Sequence, residues 1–222
     1  MYIPKDLISD VNTLFNCDLL LSKSFDDGRI ASVLDEDVIV KYLCDRDSRF
    51  IKSKKREFCD VYFYDKNEEV QYWPINVKSA ESSTINSSNK LSLLWAFTNL
   101  HYNDFFGPNS KKKITDNEWF DLMLKFRQYD NHDRDYLFLF VNKTNIRNSL
   151  LRPMRKIKNW KSNPSNDLQI DFSKEMNSNP MDDDIHTAWE RIIVKGILNS
   201  WHKKSLQREE AINFYKEHTN VV

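Results

Sequence analysis

Two segments of alternating apolar and polar residues constrain the fold of this chain more than any other feature. The first segment runs from Cys59 to Tyr64, and the second runs from Tyr72 to Ser79. Alternation with a period of two is typical of β-strands that bury one face. The residues between the segments, 65–69, are all polar or charged, as expected of a turn. The two segments are therefore predicted to form a β-hairpin.

A continuous apolar run, residues 136–141, predicts a central strand that is buried on both faces. A short strand is predicted over 168–172. Helical periodicity predicts helices over about 4–23, 30–45, 90–106, 116–127, 183–201 and 205–218, with Asp116 as the N-cap of the fourth. This order predicts an α/β fold with a mixed central sheet flanked by helices. At 222 residues the chain is long enough for one domain spanning 1–222, in which the core covers about 28–172 and the helices of 183–218 pack on it or dimerise.

The predicted hairpin carries an acid and an amine, Asp60 and Lys78. Asn76 lies two residues before Lys78, so the two side chains share one face of the strand, while Ile75 and Val77 point into the core. A carboxylate that can bind a metal, next to an amine that can stabilise negative charge, is what phosphodiester hydrolysis requires. The alternative is a surface salt bridge, since exposed ion pairs are common and nearly neutral in energy.

A further acid, Glu36, lies near the apolar stripe of the helix predicted over 30–45. It comes three residues after Val33 and three residues before Ile39. An acid near an apolar face either costs stability or serves a function. An acid at the edge of the stripe that reaches solvent is the alternative interpretation.

Polar and basic segments suggest a surface for nucleic acid. The tract 79–89 is rich in short hydrogen-bonding side chains suited to phosphate oxygens and base edges, and asparagines in 99–103 and 142–148 pair well with adenine edges. Basic residues cluster in 52–56, 111–113 and 152–161, although a solvated face is the usual meaning of any one such run. The residues that we expect to contact nucleic acid are Arg29, Lys55, Arg56, Ser79, Ser82, Ser83, Thr84, Asn86, Ser88, Asn89, Lys90, Asn99, His101, Asn103, Lys143, Asn145, Arg147, Arg152 and Arg155.

Composition narrows the setting of the protein without deciding its function. Lys+Arg and Asp+Glu each number 33, so the net charge is zero and only a local segregation of charge could attract nucleic acid. Cys17, Cys44 and Cys59 lack metal-ligand spacing, which favours free thiols in a reducing cytosol. No apolar run approaches the ~20 residues that span a bilayer, and the N-terminus lacks a signal-peptide pattern. We therefore expect a cytoplasmic protein with no membrane partner.

Taken in order, the acidic helix, the Asp60 strand, the strand Pro74-Ile75-Asn76-Val77-Lys78-Ser79 and the polar loop after it resemble a known family. They resemble type II restriction endonucleases of the PD-(D/E)xK superfamily, particularly the blunt-cutting enzymes of the EcoRV and HincII kind. The resemblance covers about residues 28–172. It implies a homodimer that cuts double-stranded DNA at a palindromic site and leaves blunt ends. It also implies Mg²⁺ at Asp60, a water activated or oriented by Lys78, and support of the metal site by Glu36. The abundance of asparagine is compatible with an A·T-rich target, and equally compatible with the composition of an A·T-rich genome.

Asn76 departs from the family pattern, because it occupies the position of the second carboxylate. Its amide oxygen can coordinate Mg²⁺ but brings no negative charge. Glu36 and Glu81 are the candidates to supply the charge, and we favour Glu36. Two alternative functions stay open: a structure-specific or repair nuclease of the same fold, and a non-catalytic DNA-binding protein in which Asn76 marks a decayed active site.

Overall fold

The computed structural model defines most of the backbone between residues 28 and 219. Within helices and strands it leaves the side chains of 28–34, 71, 84, 86, 215, 218 and 219 undescribed. The described residues are 7–8, 11, 21, 28–54, 57–65, 71–81, 84–86, 90–101, 115–129, 134–165, 167–182 and 184–219. The helix predicted over 4–23 lies mostly outside them, although Leu7, Ile8 and Val11 are helical.

The described residues contain eight strands in two sheets. The strands are β1 (Phe50–Lys52), β2 (Val61–Asp65), β3 (Gln71–Ala80), β4 (Thr84–Asn86), β5 (Leu137–Asn142), β6 (Leu150–Pro153), β7 (Trp160–Asn163) and β8 (Asp167–Asp171). The larger sheet has the order β1-β2-β3-β5-β6, and only its β3–β5 pair is parallel. The smaller sheet, β4-β8-β7, is antiparallel. The predicted mixed α/β architecture and the predicted hairpin, which is formed by β2 and β3, are confirmed.

Helices cover both faces of the larger sheet. They are α1 (Gly28–Arg46), α2 (Lys90–Thr98), α3 (Asp116–Lys125), α4 (Phe172–Met176), α5 (Ile185–Trp189) and α6 (Asn199–Thr219), and a π-helical segment, Glu190–Leu198, joins α5 to α6. Single turns of 3₁₀ helix follow α3, β5 and β6. No helix among the described residues is long and apolar enough to cross a membrane.

Alternation along β3 and β5 divides the core into two layers. Ile75 and Val77 pack with the odd-numbered residues of β5 against α1, through Ile39 and Leu43. The even-numbered residues of β5 pack on the opposite side, in a cluster that contains α2, α3, β8 and the C-terminal helices. All apolar residues of β5 are at most 1% exposed, which confirms the prediction of a central buried strand.

Two helix ends differ from their predictions for local reasons. The N-cap of α3 is Thr115 rather than Asp116, because the Thr115 hydroxyl accepts from the N–H of Glu118 while the Glu118 carboxylate accepts from the N–H of Thr115. The helix predicted over 90–106 ends at Thr98. Asn99 follows in the left-handed region, with φ 57°, and its N–H donates to the carbonyl of Trp95 (2.8 Å).

The apolar stripe of the C-terminal helices packs inward. Trp189, Ile192, Ile193 and Ile197 belong to the core, and the indole of Trp189 donates to the carbonyl of Met123 (2.7 Å). This stripe is therefore core packing and is not a dimer surface.

We expect Gly196→Ala to destabilise the fold. Gly196 lies in the π-helical segment, and a Cβ there would come within 2.5 Å of the Leu168 side chain on β8. Overpacking of this kind costs about 1–3 kcal/mol, which outweighs the gain of up to about 1 kcal/mol in helix propensity. Urea unfolding should show a lower midpoint, and Leu168→Val in the same chain should recover part of the loss. The exposed neighbour Lys195 is the control, since Lys195→Ala should leave the midpoint nearly unchanged.

Candidate active site

The predicted catalytic residues meet where β2 and β3 separate. The two strands pair as far as Val61 opposite Ile75, and β3 then continues to Ala80 with β5 as its neighbour. Asp60 lies at the point of separation, and its N–H donates to the carbonyl of Ile75 (3.0 Å). We call the opening bounded by Asp60 and by Asn76, Val77 and Lys78 the notch.

The carboxylate of Asp60 is fixed to the backbone of β3. Its Oδ2 accepts from the N–H of Val77 at 2.7 Å. The side chain of Asp60 thus bonds to β3 at a point where β2 no longer pairs with it. Burial raises the pKa of Asp60, and the positive charge of Lys78 and the hydrogen bond from Val77 oppose that rise. Asp60 and Lys78 are thus electrostatic neighbours, as the hairpin predicted.

The helix α1 brings a second carboxylate to the notch. Glu36 Oε1 lies 3.1 Å from Lys78 Nζ, and the two side chains are 19% and 18% exposed. Such a pair is neither a solvated surface contact nor a fully buried one, so both groups remain within reach of a ligand. Three separate segments therefore meet at the notch: the helix acid, the Asp60 segment and the strand with Asn76 and Lys78.

The amide of Asn76 is held from the β5 side. Asn76 pairs with Phe138, and the phenol of Tyr136, two residues earlier on the same face, donates to the carbonyl of Phe58 (2.5 Å). Burial raises the pKa of Tyr136, and a hydrogen bond from the Asn76 side chain partly offsets this rise. Among the described residues, the buried Oδ1 of Asn76 has no hydrogen-bond partner. A buried acceptor is therefore available beside Asp60.

These donors fit a sparse magnesium site. Within the described part of the chain, no three His, Cys, Asp or Glu side chains are grouped to hold a metal ion. Mg²⁺ does not require such a cage, because it commonly binds one or two carboxylates and keeps waters and phosphate oxygens as its other ligands. Asp60 supplies one carboxylate, Asn76 supplies the unpartnered oxygen, and Glu36 is the nearby acid that Lys78 holds.

Three consecutive acids of α1 each pair with a lysine from a different strand region. Asp35 pairs with Lys143, just after β5; Glu36 pairs with Lys78 on β3; and Asp37 pairs with Lys52 on β1 (2.9 Å). The sequence suggested a DNA contact for Lys143 and did not suggest its pairing with Asp35. The pairing could have been inferred from the position of Asp35, which lies four residues before the buried Ile39 and therefore on the inner face of α1.

Four predicted DNA contacts lie in the interior and are corrected. Ser79 is 4% exposed on the α1 side of β3, and Lys143 is 11% exposed against Asp35. Arg152 donates to the carbonyl of Ser178 and pairs with buried Glu175, while Arg155 pairs with Asp135 and donates to the carbonyl of Arg134. Their burial and their internal ion pairs argue against contacts with DNA phosphates.

Other predicted contacts are occupied within the fold. Lys90 pairs with Asp116 (2.9 Å) and lies over the rings of Trp119 and Trp201. Asn99 ends α2, and its side-chain oxygen accepts from Arg134 (2.6 Å).

His101 is half-buried and stacks on Tyr72, whose hydroxyl is hydrogen-bonded to its Nε2. These contacts use a ring nitrogen and a ring face that we expected to meet a base.

The remaining candidates divide into exposed and undescribed residues. Asn145 and Arg147 are exposed on the loop after β5. The start of that loop lies beside the end of β3, because the N–H of Lys143 donates to the carbonyl of Ala80 (3.0 Å). Outside the described residues or side chains lie Arg29, Lys55, Arg56, Ser82, Ser83, Thr84, Asn86, Ser88, Asn89 and Asn103.

The raised pKa of Asp60 makes its ionised form a cost to the fold. Because the folded pKa lies above the ordinary value of 3.8, the chain loses stability as the pH rises from that value through the folded pKa. We expect Asp60→Asn to raise the Tm at neutral pH and to have little effect near pH 3. Carboxyl NMR should also show Asp60 titrating at higher pH in Lys78→Met than in the parent protein, because that change removes the charge that lowers the pKa. Lys195→Met, at an exposed pair, should leave the titration unchanged; an unchanged titration in Lys78→Met would contradict the coupling.

Comparison of the chain with protein-family models, with curated proteins and with solved structures found no match, so the site is interpreted from its own residues and geometry.

Proposed function

We propose that this protein is a Mg²⁺-dependent endonuclease that hydrolyses phosphodiester bonds of double-stranded DNA, in the manner of a type II restriction endonuclease. The observation that carries the proposal is the convergence of Asp60, Lys78 and Glu36 from two strand segments and a helix. Their placement beside a buried unpartnered amide oxygen supplies metal donors and a charge-stabilising amine within one notch.

The residues of the notch have separable roles in this proposal. Asp60 and the oxygen of Asn76 would hold Mg²⁺, which, when bound, lowers the pKa of a coordinated water and polarises the scissile phosphate. Glu36 is the second carboxylate within reach, and it holds the Lys78 amine at the notch. A phosphate that enters competes with Glu36 for Lys78, and the Lys78 ammonium then stabilises the charge that develops in the transition state.

In this proposal, the loop after β5 recognises the DNA sequence. Asn145 and Arg147 are exposed there, at the end of the sheet that carries Lys78. Asparagine reads adenine edges and arginine reads guanine edges in the major groove. The family resemblance supports a homodimer on a palindromic site with blunt cleavage, since two-fold proteins match two-fold sites. The abundance of asparagine is compatible with an A·T-rich target.

Two alternatives share the fold and differ in chemistry. The neutral side chain at Asn76 favours a non-catalytic DNA-binding protein, because the notch then lacks one charge that metal binding uses. A structure-specific or repair nuclease would use the same residues on branched DNA. Incubation with plasmid and Mg²⁺ separates the three functions: discrete fragments indicate restriction, branch-dependent cutting indicates repair, and binding without cutting indicates a decayed site.

We expect Asp60→Ala and Lys78→Ala to abolish cleavage while DNA binding stays measurable. Removal of one group that stabilises transition-state charge typically lowers the rate by about 10²–10³-fold, and Asp60→Ala also removes the main metal ligand. Single-turnover cleavage and gel-shift assays, with and without EDTA, measure the two properties separately. The matched control is an exposed pair further along α1: Asp45→Ala and Lys41→Ala remove the same charges at side chains that are 61% and 75% exposed, and both variants should keep full activity. Full cleavage activity in either Asp60→Ala or Lys78→Ala would contradict the catalytic roles assigned to these residues.

Asn76→Asp tests what the amide contributes. An added carboxylate beside Asp60 increases the negative charge offered to a metal, so we expect half-maximal cleavage at a lower Mg²⁺ concentration than in the parent protein. A parent protein that binds DNA without cutting, together with an Asn76→Asp variant that cuts, would establish the decayed-site alternative instead. The exposed Asn145→Asp serves as a control for a general effect of added charge.

A further inference from the structure

The three acid–lysine pairs of α1 differ in how far their side chains are exposed to solvent. The side chains of Asp35 and Lys143 are 2% and 11% exposed, those of Glu36 and Lys78 are 19% and 18% exposed, and those of Asp37 and Lys52 are 63% and 60% exposed. The proposed site uses the middle pair, and the innermost pair is nearly buried beside α1.

The innermost pair, Asp35 and Lys143, is not expected to contribute much to the free energy of folding. Desolvation of two charges offsets much of their attraction, and apolar replacements of buried pairs are often as stable or more stable. Its best-attested use is to fix register, because a buried charge accepts only an alignment that provides its partner. Asp35 and Lys143 meet that condition.

The position of α1 decides where its acids point. Three acids in a row point in directions about 100° apart, so a rotation of about that size would be needed to offer Asp35 or Asp37 to Lys78 in place of Glu36. Apolar packing through Ile39 and Leu43 opposes so large a rotation, but it makes no directional contact that fixes smaller displacements. The Asp35–Lys143 pair does fix them, since separating two nearly buried opposite charges is costly.

Lys143 is also tied to the strand that carries Lys78. Its N–H donates to the carbonyl of Ala80, two residues beyond Lys78, at 3.0 Å. The Asp35–Lys143 contact therefore connects α1 to the end of β3 next to the notch. We infer that Asp35 and Lys143 are positioning residues, which hold α1 against the end of β3 and thereby keep Glu36 on Lys78.

The test replaces the inner pair by apolar residues of similar size, Asp35→Leu with Lys143→Met. The direct readout is the methyl resonance of Lys78 in protein whose lysines carry ¹³C-methyl groups, which keep their charge. In the parent protein, Glu36→Gln should shift this resonance and Asp37→Asn should not. In the apolar double variant, the response to Glu36→Gln should disappear, while thermal unfolding stays cooperative.

Cleavage provides the second readout, and this part alone rests on the proposed function. Misplacement of a catalytic group by about 1 Å can cost about 100-fold in rate, and we expect a loss of that size in the double variant, in kcat more than in KM. Lys143→Arg keeps the charge and should retain activity. Asp45→Leu with Lys41→Met, at an exposed pair further along α1, should change neither readout.

The outcomes separate this inference from the proposed function. A Lys78 resonance that still responds to Glu36→Gln in the apolar double variant would overturn the positioning role, whatever the activity. A parent protein that cuts no DNA would overturn the proposed function and leave the resonance result decisive. If the apolar variant does not fold, Asp35→Asn with Lys143→Gln, which keeps hydrogen bonding without charge, is judged by the same criteria.

Discussion

The parallel pairing of β3 with β5 is the constraint on which the rest of the structure depends. β5 is apolar on both faces and buried throughout, so it must lie inside the sheet with a core layer on each side. Its pairing fixes β3 from Ile75 to Ala80. This support allows β2 to leave β3 at Asp60 without loosening the strand that carries Asn76 and Lys78. The notch exists because one neighbour of β3 ends while the other continues.

Charges in and around the notch are balanced locally, in keeping with the zero net charge of the chain. Each acid of the α1 triplet has its own lysine, and Lys78 also influences Asp60. An arrangement of this kind keeps an amine and carboxylates close together before a substrate arrives. Burial raises the pKa of Asp60, so its ionised form costs stability, as is common for groups that serve binding or catalysis.

Asn76 becomes more intelligible once its surroundings are known. From the sequence it is a missing carboxylate. In the structure its side chain acts on Tyr136 as a hydrogen-bonding group that opposes the rise in the pKa of that phenol, which itself donates to the carbonyl of Phe58. An amide can donate such a hydrogen bond, whereas an ionised carboxylate can only accept. This difference gives an amide a role beside Tyr136 that an ionised carboxylate could not fill.

By itself the sequence determined the hairpin, the buried strand, the acidic helix and the residues Asp60, Asn76, Lys78 and Glu36, because periodicity over a few residues fixes which side chains share a face. Periodicity cannot show which polar residues find partners far along the chain. Only the tertiary structure decided that Arg152, Arg155 and Lys143 are buried against Glu175, Asp135 and Asp35 rather than exposed to DNA. It also decided that the C-terminal stripe fills the core and that β4 pairs with β8 in a second sheet. These outcomes depend on contacts between residues distant in sequence, whose free energy is set by burial and by partners that no local pattern records.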